Sequence, residues 1–255
     1  MEALTEKIAE RNYSTEFEQW WHSTGTWVEP ANQRRGGESG VRLLHSPNTG
    51  YPLLYCKLQS NHIYRSLLHP LGRPTILREL EAYRAFARLG IGTARIVYCM
   101  VRRHEGQKQA LLVTEALQGF ISLEQWYASK HDTTLTKAML RQLATTLKRL
   151  YLAGWQHGCC YPKHIFVKVQ GRDGNEPSVE IVLLDLEKSR RRWWISRTSR
   201  CDLDQLGRHR GAMPDADMTY LRQAYQQALN DPWGMLRQRT ILPIWIRFLS
   251  KDTVA

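Results

Sequence analysis

Residues 53–58, Leu53-Leu54-Tyr55-Cys56-Lys57-Leu58, set a lysine inside an otherwise apolar strand. An ammonium group is costly to remove from water, so such a lysine must point into a cleft or find an anion. The next periodic segment offers that anion twice. A helix is predicted over Thr75–Leu89, opening after Pro74 and stopping at Gly90, and it carries Glu79 and Glu81. Glu79 shares a helical face with Ile76, Tyr83 and Phe86, the face that packs inward. Glu81 lies with Arg78, Arg84 and Ala85 on the outer face, where a solvated ion pair suffices. Glu79 is therefore the expected partner of Lys57.

Working outward, Trp27–Pro30, Val41–His45 and Tyr51–Gln59 read as short strands. They are separated by Gly36-Gly37-Glu38-Ser39-Gly40 and by the turn Ser46-Pro47-Asn48-Thr49-Gly50. Arg95–Arg102 and Gln109–Glu115 add two strands around a turn at Glu105-Gly106. Past Gly119 the pattern becomes helical. Ser122 and Gln125 have capping-box spacing and start a short helix to about Lys130. A longer helix is expected from Thr136 to Trp155, with Met139, Leu143, Leu147 and Leu150 on one face. Two short strands, Ile165–Val169 and Val179–Leu184, join through Asp173-Gly174, and helices follow near Asp202–Arg210, Asp217–Leu229 and Leu236–Leu249.

The predicted organisation is α+β and two-lobed, with a small N-terminal antiparallel sheet carrying one helix and a mostly helical C-terminal lobe. Its divisions are an N-terminal helical extension (1–26, with Phe17, Trp20 and Trp21), an N-lobe (27–117) and a C-lobe (118–255).

The 255-residue chain is 42% hydrophobic and 24% charged, as ordinary globular proteins are. No apolar run approaches the ~18–20 residues that span a bilayer, and the polar start is unlike a secretory signal. A cytoplasmic location is the expectation. Five cysteines without zinc-like spacing suit free thiols in a reduced compartment. The net charge of +12 is either a solvated basic face or an attraction for a polyanion, and no motif for specific nucleic-acid binding accompanies it.

An ATP-holding cleft needs backbone amides around the phosphates, a lysine to neutralise them and ligands for magnesium. Gly36, Gly37, Ser39 and Gly40 are candidates to wrap phosphate, although the same residues suit a flexible surface turn. Lys57 with Glu79 supplies the charge. Asp185 follows the apolar run Ile181-Val182-Leu183-Leu184, where a carboxylate is either a metal ligand or a turn cap. Lys57, Glu79, His157, His164 and Asp185 stand in the chain order of a kinase, which favours the nucleotide reading.

These pieces resemble the lipopolysaccharide core kinases, the Kdo and heptose kinases, and within them the InaA-like branch. The resemblance spans about residues 27 to 210. It rests on Leu54-Tyr55-Cys56-Lys57-Leu58-Gln59, Pro74-Thr75-Ile76-Leu77-Arg78-Glu79-Leu80, His157-Gly158 with Tyr161-Pro162-Lys163-His164-Ile165-Phe166, and Leu184-Asp185-Leu186-Glu187-Lys188. It implies a protein-kinase-like fold using ATP and Mg2+ to phosphorylate an inner-core sugar at the cytoplasmic face of the inner membrane. The acceptor would be an anionic glycolipid or sugar phosphate, with peripheral contact to that membrane. It also implies that Lys57 holds the α- and β-phosphates, that Glu79 orients it, and that Glu115 to Leu117 form the adenine-contacting hinge. His164 would stand where many kinases keep a magnesium-binding asparagine, Asp185 would be the main magnesium ligand, and Asp202 would brace the catalytic loop. His157 opens that loop. At the place of the usual catalytic aspartate this chain has Cys159, so the alternative is a pseudokinase, an ATP-binding regulatory protein in envelope or acid stress.

Two segments remain open. Ser189-Arg190-Arg191-Arg192-Trp193-Trp194 suits an anionic sugar phosphate or a headgroup region, or is a surface loop with its tryptophans tucked in. Leu236–Leu249 reads as core with a charged rim or as a basic interfacial helix.

Overall fold

Alternation along Leu54–Ser60 (β3) decides how the first sheet is built. Cys56 and Leu58 pack into a cluster with Phe17, Leu44, Leu111 and Val113, which leaves Lys57 and Gln59 on the opposite face. On one side β3 pairs with Gly37–Leu44 (β2), which pairs with Gly25–Arg34 (β1). On the other it pairs with Gln107–Glu115 (β7), which pairs with Ile96–His104 (β6). All pairings are antiparallel, in the order β1-β2-β3-β7-β6.

This computed structural model describes residues 15–34, 36–44, 53–67, 69–172 and 175–230. The turns expected at Ser46–Gly50 and Asp173-Gly174, and the segment Leu236–Leu249, lie outside the described residues. Among those described, one compact unit holds the residues up to Leu80 together with Ala94–Gln118. The other holds Glu81–Thr93 and the residues from Gly119 onward.

The first unit departs from the sequence reading in three places. A helix over residues 15–21 (α1) delivers the fully buried Phe17 to the β3 cluster, so this part of the expected extension is core. The expected turn Gly36–Gly40 shrinks to its start: Gly36 has a φ of 72°, whereas Gly37 to Gly40 lie within β2. A hairpin of Ile63–Ser66 (β4) with His69–Pro74 (β5), unanticipated because prolines and arginines interrupt its alternation, leads into the helix Thr75–Arg88 (α2). On α2, Glu79 is buried and Glu81 exposed, as the helical faces predict, but Ala85 is buried rather than outward.

In the second unit, Ile121–Ser122 (β8) pairs with Ile165–Arg172 (β10), which pairs with Asn175–Leu183 (β11). Ser122 and Gln125 form the expected capping box at the head of Leu123–Ala128 (α3). The long helix Thr133–Leu152 (α4) is capped by Asp132, which accepts from the amides of Thr134 and Leu135. Its buried stripe includes Met139, Leu143, Leu147 and Leu150. Trp155–Gln156 (β9) pairs with Arg190–Arg191 (β12). Ile195–Arg208 (α5) and Asp215–Asn230 (α6) follow, α5 starting well before the expected Asp202.

Candidate active site

In the first unit, two rungs link β3 to α2. Lys57 Nζ donates to Glu79 Oε2 at 2.8 Å, with the side chains only 15% and 4% exposed. Gln59 Oε1 accepts from the Thr75 hydroxyl at 2.9 Å. The spacing explains the match. Two strand residues advance about 6.6 Å, and four helical residues rise about 6 Å on one face. The second rung continues in both directions: Gln59 Nε2 donates to Ser39 Oγ at 3.3 Å, and His62 Nδ1 lies 2.8 Å from Thr75 Oγ1. Since the threonine hydrogen goes to Gln59, His62 Nδ1 is the donor in the last bond.

The remaining first-unit candidates have local partners. A Cβ at Gly37 would collide with the Asn61 backbone, and one at Gly40 would lie 2.7 Å from the Trp27 ring. Close packing of the sheet therefore accounts for both glycines, and the Gln59 contact accounts for Ser39. Glu115 accepts from Arg95, which holds its carboxyl below the usual range. The Glu115 and Ala116 amides donate to the Arg95 and Leu53 carbonyls, and Leu117 follows, half-buried.

In the second unit, the loop from His157 to His164 is braced from below. Asp202, on α5 and 1% exposed, accepts from the amides of His157 (2.8 Å) and Gly158 (3.0 Å). Burial pushes its carboxyl up, and these amides, together with Gln156, oppose the shift. Gln205, one turn further along α5, accepts from the Cys160 amide at 2.7 Å, and Ser189 donates to the His157 carbonyl at 2.9 Å.

Where that loop meets the end of β11, Cys159, His164 and Asp185 bring a thiol, an imidazole and a carboxylate together, with candidate ligand atoms all within 4.8 Å of one another. His164 Nδ1 sits 3.0 Å from the Cys159 carbonyl and 3.6 Å from Asp185 Oδ2. Both neighbours are acceptors, so Nδ1 carries hydrogen, and in the neutral ring the lone pair is then on Nε2. Asp185 has a left-handed backbone (φ 55°, ψ 63°), unusual for a non-glycine residue. Burial, followed by the Asp185 carboxylate, pushes the Cys159 thiol up to about 12. It is therefore a neutral donor at physiological pH.

His157, expected among the catalytic groups, is fully buried. Its Nδ1 accepts from the Cys159 amide at 3.1 Å, and burial pushes the ring down to about 4. The neutral ring is buried and positions the loop through that bond.

The family model for the lipopolysaccharide kinase (Kdo/WaaP) family matches residues 18–225. The chain belongs to this family. It is 38% identical over 214 residues to Protein InaA of Escherichia coli (strain K12), covering 82% of this chain and 95% of that protein. It is 26% identical over 110 residues to the lipopolysaccharide core heptose(I) kinase WaaP of Escherichia coli, covering 42% of this chain and 41% of that one. The mixed α/β architecture, an antiparallel sheet with several helices, is that of the family's kinase-like fold.

Kinases of this family generally use ATP and Mg2+, and the donors here fit such an ion. Asp185 supplies the hard carboxylate oxygen that Mg2+ prefers, and phosphates commonly complete such a shell. His164 Nε2 is a weaker supplementary donor, while the protonated Cys159 thiol is unsuited to this ion. Sequence reasoning missed Gln59, Thr75, Ser189 and Gln205. The first two were signalled by their spacing from Lys57 and Glu79; the last two act on backbone groups, which leave no mark in a sequence.

Proposed function

We propose that this protein is an ATP-dependent phosphotransferase acting on a sugar hydroxyl of the lipopolysaccharide inner core at the cytoplasmic face of the inner membrane. The observation that carries the reading is the buried Lys57–Glu79 ion pair, set in a chain of the lipopolysaccharide kinase family. Glu79 fixes the ammonium, which would meet the α- and β-phosphates, and Glu115 to Leu117 would meet the adenine. Gly36 and the start of β2 would lie along the phosphates. Asp185, with His164 beside it, would hold Mg2+, whose charge offsets that of the phosphates. Cys159 stands where the acceptor hydroxyl would be oriented. Its thiol can donate a hydrogen bond but cannot take the hydroxyl proton, so transfer would rest on positioning and charge neutralisation.

The protonated thiol also favours a second reading, a pseudokinase that binds ATP and regulates an envelope or acid-stress response. Calorimetry with ATP and Mg2+ tests what the two share. Magnesium-dependent binding is expected, weakened by Lys57→Met and by Asp185→Ala; no binding by the native protein would remove both readings. Transfer of labelled phosphate to core oligosaccharide then separates them.

A further inference from the structure

We propose that residues 190–200 of the second unit form a docking surface for an anionic lipid bilayer. Trp193 is 97% exposed and Trp194 74%, with Ile195 beside them at 40%. The tryptophans are thus not tucked against the unit. Large adjacent apolar side chains left in water mark an interaction site. The backbone presenting them is held on both flanks. Before the pair, Arg190 and Arg191 pair with Gln156 and Trp155, and the Arg192 amide donates to the Gly154 carbonyl at 2.7 Å. After it, the amide and hydroxyl of the buried Thr198 both donate to the Trp194 carbonyl, at 3.0 and 2.8 Å.

The charge around the rings selects the partner. Lys188, Arg190, Arg191, Arg192, Arg197 and Arg200 fall between positions 188 and 200, where no acidic residue occurs. All six are exposed. The acidic residue that follows, Asp202, turns its carboxylate inward onto the loop amides. Tryptophan settles at the headgroup level of a bilayer, and arginine is drawn to the negative potential of anionic lipid. Among the described residues no helix is long and apolar enough to cross a membrane, so the contact would be at the interface. Ile195 suits insertion beside acyl chains and has no use in stacking on bases. The surface goes beyond the proposed activity and requires neither nucleotide nor transfer.

The test is co-sedimentation of the full chain with vesicles of phosphatidylglycerol and phosphatidylcholine, against phosphatidylcholine alone. Binding is expected only to the anionic vesicles, weakening as salt rises. Arg197→Gln with Arg200→Gln should lower the partition about 25-fold, each arginine near the surface being worth about fivefold. Trp193→Ser with Trp194→Ser should lower it at least about tenfold through lost apolar burial. Both pairs are exposed, so thermal melts and ATP calorimetry should match the native protein. Absent vesicle binding, or unchanged binding by the tryptophan variant, would overturn the docking surface while leaving nucleotide binding intact. Tryptophan-dependent binding to a single-stranded oligonucleotide in preference to vesicles would overturn it in favour of nucleic acid.

Discussion

Lys57→Met removes an ammonium 2.8 Å from a carboxylate that is only 4% exposed. Breaking a buried pair by deleting one partner costs about 3–5 kcal/mol, because the remaining charge keeps its desolvation penalty. Lys57 is itself 15% exposed, so water still reaches the pair, and the lower end, about 3 kcal/mol, is the better expectation. For a folded chain of this size that corresponds to a fall of about 6–12 °C in Tm. Adding Glu79→Leu should recover most of the loss, since two apolar side chains need no solvation. A double-mutant cycle by thermal and urea denaturation should therefore give a coupling of at least about 2 kcal/mol. A loss below about 1 kcal/mol for Lys57→Met, with no coupling, would show that the pair behaves as a screened surface contact. Both variants should bind ATP with Mg2+ more weakly than the native protein. The recovered stability of the double variant makes that weakening a matter of phosphate contact and not of unfolding.

Thr75→Val removes a fully buried hydroxyl that bonds Gln59 and His62. It should cost about 1–3 kcal/mol, read as a lower urea midpoint, with Thr75→Ser restoring most of it. Cys159→Asp supplies an acceptor for the substrate hydroxyl and should raise phosphate transfer to core sugar by about 10²–10⁴-fold with nearly unchanged ATP affinity. A native protein that turns over as fast as this variant would place the orienting group elsewhere.

The elements legible in the sequence were those whose local pattern and tertiary role agree. A lysine in an apolar strand and a glutamate on the apolar face of a helix are each costly alone. Their pairing relieves both costs, so residue type and helical spacing suffice to match Lys57 with Glu79. Glycine was ambiguous. Gly37 and Gly40 signal a turn by composition, yet they sit in β2 because neighbouring backbone and the Trp27 ring come too close for a Cβ. The start of α5 was hidden by Ser196, Thr198 and Ser199, poor helix formers in isolation. Thr198 and Ser199 instead bond the Trp194 and Ser196 carbonyls, and both are buried. At the loop, Asp202 was legible by resemblance, whereas Gln205 was not, because it bonds a backbone amide that any residue at position 160 would offer.

Under the proposed function, a thiol at position 159 would separate two functions that one carboxylate would otherwise join. A carboxylate there would add a second negative charge beside Asp185 and repel phosphate, so replacing it with a neutral thiol removes no attraction for nucleotide. Under the proposed function, that attraction would come from Lys57 and from an ion at Asp185. What the thiol would give up is an acceptor for a substrate hydroxyl, which would matter only to transfer. Its sulfur lies within 4.8 Å of an Asp185 carboxylate oxygen, so its residual effect would fall on the orientation of that carboxylate. The loop around it is nonetheless fully braced, by Asp202 and Gln205 on its amides and Ser189 on a carbonyl. A brace of that kind holds the backbone of residues 157–160 in place whether or not phosphate moves. Under the proposed function, nucleotide binding and transfer would therefore vary independently, and position 159 is where they would part.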